Sequence, residues 1–456
     1  MSRQPLLVVV LAAGQGTRMK SALPKVLHQI AGRSMLGHVL AMAESLEPLS
    51  VAVVIGPDMD KVREEALRQI PSAQIFVQQE RKGTADALLA AREAIAAHSG
   101  DVIVLYGDTP LLMASTLDHL RQRLDGAAAA VLGFEAADPA GYGRLILADG
   151  GIVTAIREDR DANEAERAIR MCNSGVLGFR VGPSQIRDLV ALLERIGNDN
   201  AKGEYYLTDA IGLIASDHLP SGVVVCDEEE VLGVNSREQL AAAEAIFQQR
   251  ARLSAMRDGA TLIAPETVWF SFDTRIGRDV TIQPNVFFGL GVTVEDGAEI
   301  LANCHFERAR IGRGARVGPF ARLRPGAVLG DSVHVGNFVE VKNTTLGTGA
   351  KANHLAYLGD GTVGAGANIG AGTIFCNYDG FFKHRTEIGE GAFVGSNTSL
   401  VAPVSVGEGA YIGSGSVITK NVSAGALAVE RSSQEERPGW AAKFRAMMAK
   451  RKAKTA

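Results

Sequence analysis

The stretch Ile276 to Ile418 constrains this chain more than any other. An apolar side chain recurs there almost every sixth residue. The first run is Ile276, Ile282, Phe288, Val294 and Ile300. A second runs through Ile311, Val317, Leu323, Leu329, Val335 and Val341. Shorter runs follow at Leu346, Ala352 and Leu358, and at Val363, Ile369 and Phe375. The last is Ile388, Val394, Leu400, Val406, Ile412 and Ile418. Neither the helical period nor simple alternation gives this spacing, but a hexapeptide repeat does, and it marks a parallel β-helix. Each unit is a short strand and a turn, so positions i and i−2 share a face. The smaller inward partners are Ala315, Ala321, Ala327, Val333 and Val339. Gly often follows the apolar position, as at Gly277, Gly312 and Gly389, and is expected there to supply turn dihedrals. A stacked column has a dry interior, so any chemistry belongs on its outer faces or between neighbouring columns.

The chain has 456 residues, room for two or three domains. Its net charge of −4 does not suggest a general nucleic-acid or membrane surface. Cys172, Cys226, Cys304 and Cys376 are widely separated, which argues against a disulfide scaffold and for a reducing, cytoplasmic compartment. The apolar run Leu6–Ala13 resembles a signal-peptide core, but a Gly-rich loop follows directly, so it reads as a buried strand. No apolar stretch is long enough to span a bilayer.

Residues 1–234 alternate strands with helices. Leu6–Leu11, Val51–Ile55, Ile75–Val77 and Val102–Leu105 have the composition of buried parallel strands. Helical patterns lie at Asp58–Gln69 and Ala85–Ala97. This predicts an open α/β sheet with its ligand beyond the carboxyl ends of the strands. Two loops fall there: Gly14-Gln15-Gly16-Thr17-Arg18 and Tyr106-Gly107-Asp108. The first is neither GxGxxG nor a Walker A loop. By itself it is either a structural strand-to-helix turn or a cradle for a nucleotide phosphate.

The longer string Leu11-Ala12-Ala13-Gly14-x-Gly16-Thr17-Arg18-Met19, then Pro24-Lys25, resembles the motif of sugar-1-phosphate nucleotidylyltransferases. Gln78, Gly83-Thr84, Tyr106-Gly107-Asp108, Gly141-Tyr142-Gly143-Arg144, Glu158, Asn173 and Gly233-Val234-Asn235 continue it in order. With the hexapeptide region, nearly the whole chain resembles the family of bacterial bifunctional N-acetylglucosamine-1-phosphate uridylyltransferase and glucosamine-1-phosphate acetyltransferase enzymes. The resemblance implies a Rossmann-like nucleotidyltransferase domain, a helical linker over 235–259, a left-handed parallel β-helix over 260–436 and a basic tail over 437–456. It implies that Leu11, Ala12, Ala13, Gly14 and Gln78 border uracil and ribose, and that Gly83 and Thr84 select uridine. Arg18 and Lys25 would be catalytic, neutralising phosphate charge, and Tyr106 and Gly107 would belong to the residues that bind UTP and the UDP-sugar. Asp108 and Asn235 would hold Mg²⁺, and Gly143, Glu158 and Asn173 would contact the acetylated sugar. Few protein ligands suffice for Mg²⁺ when phosphates supply the rest.

In the hexapeptide region the resemblance assigns Arg324, Lys342, Tyr357 and Asn368 to glucosamine-1-phosphate and makes His354 the proton acceptor. It puts Ala371, Asn377, Tyr378, Ser396, Ser414 and Arg431 around acetyl-CoA. Ser414 stands where the family has Ala. The repeat is interrupted between Phe375 and Ile388, so Cys376-Asn377-Tyr378-Asp379-Gly380 must leave the column as a loop. His305 and His334 are expected to decorate turns. The resemblance also implies a homotrimer, UTP and acetyl-CoA as co-substrates, and no nucleic-acid or membrane partner. Ser236-Arg237-Glu238-Gln239 reads as a capping box opening the linker helix. In the tail, Trp440 and Phe444 suggest a short helix packing through its aromatics; its basic end is either a solvated terminus or a contact for CoA phosphates. The rival readings are a monofunctional nucleotidylyltransferase whose β-helix only oligomerises, a scaffold without activity, and an acyltransferase with a degenerate front domain. They predict loss of His354, Lys342 and Asn377-Tyr378, or of Arg18, Lys25 and Asp108, all of which are present.

Overall fold

The structure is a computed structural model and describes residues 4–455. The chain divides into two compact units, Met1–Leu253 and Ser254–Ala456.

The first unit is built on a nine-stranded sheet. Its strands are β1 (Leu6–Leu11), β2 (Ser50–Ile55), β3 (Gln74–Val77), β4 (Gly100–Tyr106), β5 (Ala129–Glu135), β6 (Arg144–Ala148), β7 (Ile152–Arg157), β8 (Met171–Val181) and β9 (Ser221–Cys226), in the spatial order β3-β2-β1-β4-β8-β5-β9-β7-β6. The parallel half, β3-β2-β1-β4, matches the sequence expectation. Leu6, Val8 and Val10 enter one core and Leu7, Val9 and Leu11 the other, so a strand covered on both faces reads as an unbroken apolar run. The other half was not anticipated. β8 runs antiparallel to both β4 and β5, and its register with β5 shifts between Asn173 and Leu177. The expected helix Ala85–Ala97 is two helices, Thr84–Leu89 and Arg92–Ala96; nothing in the structure explains the break. Arg237–Arg257 forms one long helix. Ser236 Oγ accepts from Gln239 N–H at 3.3 Å, but the Gln239 side chain reaches Asn235 N–H at 2.8 Å rather than closing a capping box on Ser236.

The second unit is a prism of parallel strands with three faces. The first face is a ten-stranded sheet running from Thr261–Leu262 to Leu427–Ala428. The second and third are joined, because Glu340–Leu346 and Tyr357–Val363 run round the corner between them. Apart from half-buried Ile276, every apolar residue of the six-residue runs is buried, as are Ala315, Ala321, Ala327, Val333 and Val339. The count departs from six at Phe306 to Ile311, Val341 to Leu346, Leu358 to Val363 and Phe375 to Ile388. All four departures fall at the corner between the second and third faces. From Ile282 to Ile418 the corner between the first and second faces keeps its length.

The glycines that follow the apolar position serve a different purpose from the expected one. Gly312 is not left-handed; a Cβ there would lie 2.5 Å from the carbonyl carbon of Gly330 in the next coil. Close stacking excludes the side chain. The left-handed residue is two positions on, at Gly314 (φ +58°). Elsewhere non-glycines take that conformation, including Phe320, Phe338 and Leu355 at the first corner and Asn343 and Asp360 at the second. His305 and His334 lie on strands, not turns, with His305 stacked on Phe287 at 4.8 Å. The tail forms a helix, Trp440–Thr455. Trp440 and Phe444 stack on each other at 5.0 Å and stay exposed, so they do not anchor it.

Candidate active sites

In the first unit, β1, β4 and the chain entering the long helix converge. Gly107 N–H donates to Leu11 C=O at 2.9 Å, and Val234 N–H to Asp108 C=O at 2.9 Å. These bonds bring Asp108 beside Asn235, more than a hundred residues away in sequence. Lys25 Nζ lies between them, paired with Asp108 Oδ2 and donating to Asn235 Oδ1 at 2.9 Å. A carboxylate and a carboxamide oxygen thus converge on one cationic point, the donor set a hard divalent ion prefers. Among the described residues no group of three or more His, Cys, Asp or Glu converges, so further ligands would come from phosphate or water. Gln239 holds Asn235 from behind.

A cleft of about 290 Å³ opens beside this pair. Leu11, Ala12, Ala13, Gly14, Lys25, Gln78, Gly83, Thr84, Tyr106 and Asp108 all line it. Gly83 cannot carry a side chain: its φ is +130°, and a Cβ would lie 2.3 Å from Tyr205 O. Gln78 Nε2 donates to Gly83 O at 3.1 Å and to Asp86 at 2.8 Å. Arg18 is exposed on its loop, is not part of the cleft wall, and pairs with no carboxylate among the described residues. Four wall residues escaped the sequence reading, apolar Val26 and Ala87 and charged Arg81 and Glu204. Arg81 Nε donates to Ala13 O at 2.8 Å; its position two residues before Gly83-Thr84 was the available signal.

Gly143, Glu158 and Asn173 form one group. Asn173 N–H donates to Gly143 O at 2.7 Å, and a Cβ on Gly143 would lie 3.5 Å from Glu158 Oε1. Burial raises the Glu158 carboxyl above its ordinary value, against a 3.1 Å bond from Thr208 Oγ1. Burial, with the charges of Asp108 and Glu158, also keeps the Tyr106 phenol protonated. That link places Tyr106 between the two halves of the site. Thr208 and buried Tyr206 belong to this wall and were not singled out from the sequence.

In the prism the expected residues separate into two columns. At the first corner His354, Ala371, Ser396, Ser414 and Arg431 stack coil upon coil. Gly372 N–H bonds His354 O, Ser396 N–H donates to Ser414 Oγ at 3.2 Å, and Arg431 Nη1 donates to Ser414 O at 2.7 Å. The Ser414 hydroxyl is therefore engaged by its neighbour in the ladder. His354 is exposed, and its Nδ1 meets Asn337 Oδ1 at 2.8 Å. A carboxamide oxygen can only accept, so Nδ1 is the donor in this pairing, and Nε2 is the acceptor nitrogen of the neutral ring. Asn368 lies on the first face, in register with Lys351 and Phe393.

The second corner holds Arg324, Lys342 and Asn377, and Tyr357 leans toward it from the second face. Arg324 donates to Glu340 at 2.8 Å. Tyr357 lies over Gly359, where a Cβ would be 2.4 Å from its hydroxyl. Lys342 and buried Asn377 meet at Asp360. Lys383, missed in the sequence, has its ammonium held below the ordinary lysine value by its hydrogen bond to Lys342 and by that group's like charge. Tyr378 is exposed on the loop and donates to Gly380 O at 2.5 Å. Within one chain, His354 and Asn377-Tyr378 thus lie at opposite ends of the second face rather than in one cluster.

The profile of the MobA-like NTP transferase domain matches residues 8–175, and that of the bacterial transferase hexapeptide (six repeats) matches 308–343 and 385–420. The bifunctional protein GlmU of Azorhizobium caulinodans is 59% identical over 453 residues, covering 99% of this chain and 100% of its own. Those of a Bradyrhizobium species and of Xanthobacter autotrophicus are 56% and 55% identical, over 98% and 99% of this chain and 98% and 100% of their own. The two profiles fall on the two units that carry the two groups of residues, and the chain belongs to the family of bifunctional GlmU proteins.

Proposed function

We infer that the chain makes UDP-N-acetylglucosamine in two steps, acetyl transfer in the second unit and uridylyl transfer in the first. The observation that carries this reading is that both residue sets are intact and grouped on separate units of a chain alike end to end with bifunctional relatives.

In the uridylyl step a phosphate oxygen of N-acetylglucosamine-1-phosphate attacks the α-phosphorus of UTP and pyrophosphate leaves. The nucleophile is already ionised, so the site needs charge stabilisation and alignment rather than a strong base. Lys25 supplies a fixed positive charge, with Arg18 free to join it from the loop. Gln78, Gly83 and Thr84 face the base, while Gly143, Glu158 and Asn173 face the sugar. Asp108 and Asn235 would hold Mg²⁺, which when bound neutralises phosphate charge.

In the acetyl step the amine of glucosamine-1-phosphate attacks the thioester carbonyl of acetyl-CoA, its proton passes to His354 Nε2, and the CoA thiol leaves. The Asn337 bond supports this role by leaving Nε2 the acceptor. Arg324, Lys342 and Tyr357 bind the sugar phosphate, with Asn368 from the first face. Ala371, Asn377, Tyr378, Ser396, Ser414 and Arg431 border the CoA. These groups lie at two corners, so a complete site joins one prism's first corner to a neighbour's second, in a homotrimer. An exposed apolar column beside His354 supports this: Phe320 and Phe338 stack at 5.2 Å and continue to Leu355, 58% exposed. Among the described residues no helix is long and apolar enough to cross a membrane, and the free cysteines suit a cytoplasmic enzyme.

The test is a pair of substitutions in purified protein given glucosamine-1-phosphate, acetyl-CoA, UTP and Mg²⁺. His354→Ala is expected to lower acetyl transfer by roughly 10²- to 10⁴-fold and spare pyrophosphate release from UTP and N-acetylglucosamine-1-phosphate. Asp108→Ala should do the reverse. Loss of both activities from either folded variant would refute the two-site reading.

A further inference from the structure

Asp360 belongs to none of the expected ligand sets, yet the residues of the second corner converge on it. Lys342 Nζ donates to Oδ2 at 3.0 Å and Oδ1 at 3.3 Å. Asn343 Nδ2 donates to Oδ1 at 2.8 Å, and Asn377 Nδ2 to Oδ2 at 2.5 Å. The carboxylate is buried, and its donors come from the coil before and the coil after, so it ties three successive rungs together. Its flanks are shaped for it. A Cβ on Gly359 would strike the Tyr357 ring, and one on Gly361 would lie 2.4 Å from Thr386 O. Burial alone would raise the carboxyl; the bonds from Asn343, Lys342 and Asn377 outweigh it and hold the group below its ordinary value, as an anion.

Turn geometry does not account for this choice. Asp360 is left-handed, at φ +56°, but the stacked positions below it at the same corner are Arg308, Gly326 and Asn343, all left-handed too. The corner accepts a cation, an amide or no side chain at all. The acid stands only at the level where Lys342 and Asn377 meet.

We propose that Asp360 is a positioning residue for acetyl transfer, whose carboxylate sets the Lys342 ammonium and the Asn377 carboxamide in one fixed arrangement before either substrate binds. The proposal rests on the acetyl-transfer reading above. It makes the phosphate-binding cation and the CoA-bordering amide one unit, so neither shifts without the other. Lys342 gives its remaining N–H to the incoming phosphate while Asp360 holds its position.

The experiment uses the full chain and four proteins: wild type, Asp360→Asn, Lys342→Ala and the double variant. Asp360→Asn keeps the volume but removes the charge and half the acceptor capacity. Acetyl-transfer kcat/KM is expected to fall roughly 10- to 100-fold, with the KM for glucosamine-1-phosphate raised, as for other residues that orient a direct ligand. Uridylyl transfer stays at the wild-type rate. In the Lys342→Ala background the same substitution should have a much smaller effect, because the residue acts through Lys342. Equal fold-losses in both backgrounds, or a lowered melting temperature with unchanged KM and kcat, would overturn the proposal. Should Asp360→Asn fail to fold, Asp360→Glu keeps the charge and displaces it by one methylene; unchanged acetyl-transfer kinetics in that folded variant would also overturn it. Absence of acetyl transfer in the wild type would overturn the acetyl-transfer reading, and the proposal would fall with it.

Discussion

The two units solve the same problem differently. In the first, strands of an open sheet end at one edge, and their loops fold over a single cleft. Residues as distant in sequence as Lys25, Asp108 and Asn235 meet there within one chain. In the prism, residues stack into columns along convex corners. Such a column lines up side chains but has no concavity of its own. Its two groups of expected residues stand at two corners, with the second face between them. A sheet edge makes a pocket alone, whereas on the proposed reading the prism would make one by meeting a neighbour.

Chelation separates the two most sharply. Excess EDTA should reduce uridylyl transfer to background and leave acetyl transfer unchanged, because at the first site Asn235 turns its carboxamide oxygen toward the cation beside Asp108, whereas at Asp360 the carboxamides present their N–H groups. A metal-independent first site would erase that half of the contrast. Next in size is complementation. His354→Ala and Asn377→Ala each damage a different corner. Co-expressed, the two inactive chains should recover roughly a quarter of wild-type acetyl transfer, since each restored site needs one intact corner from each of two randomly drawn chains. No recovery in confirmed mixed oligomers would mean that one chain builds the site alone. Asn337→Ala should lower acetyl-transfer kcat by roughly 10- to 100-fold by freeing the imidazole tautomer, with little change in either KM.

The smallest effect is on stability. Burial lowers the pKa of His38 to about 4, against a bond to Ile30 O, and burial lowers His28 and His98 as well; all three lie in the first unit. A histidine depressed in the folded state favours folding above pH 6.5, and that stability is lost as pH falls toward 4. For His38 the loss at pH 5 is on the order of 2 kcal/mol, or about 5 °C in the first unit's transition. Calorimetry at pH 7 and 5 should show that transition falling while the prism's does not, and His38→Gln should flatten the dependence. Equal shifts in both transitions would contradict it.

Much of this was legible in the residues. A period of six can be satisfied only by short strands facing a narrow interior, so the inward side chains of the prism could be named before any coordinates. The Leu11–Arg18 and Tyr106–Asp108 strings likewise pointed to one sheet edge. The less legible features depend on partners remote in sequence. Gln239 reads as the end of a capping box, and only the fold aims it at Asn235. Arg81 and Thr208 look like surface polar residues until the cleft closes around them. Asp360 reads as an ordinary turn acid between two glycines.

The spacing of apolar residues determined by itself that this chain has an open α/β sheet and a stacked hexapeptide column, because side-chain alternation and backbone sterics act locally. Tertiary structure alone decided which corner each group occupies, what Asp360 holds, and that His354 faces away from Asn377. Those relations are set by how one coil registers on the next, and for Asp360 at the corner where the six-residue count slips.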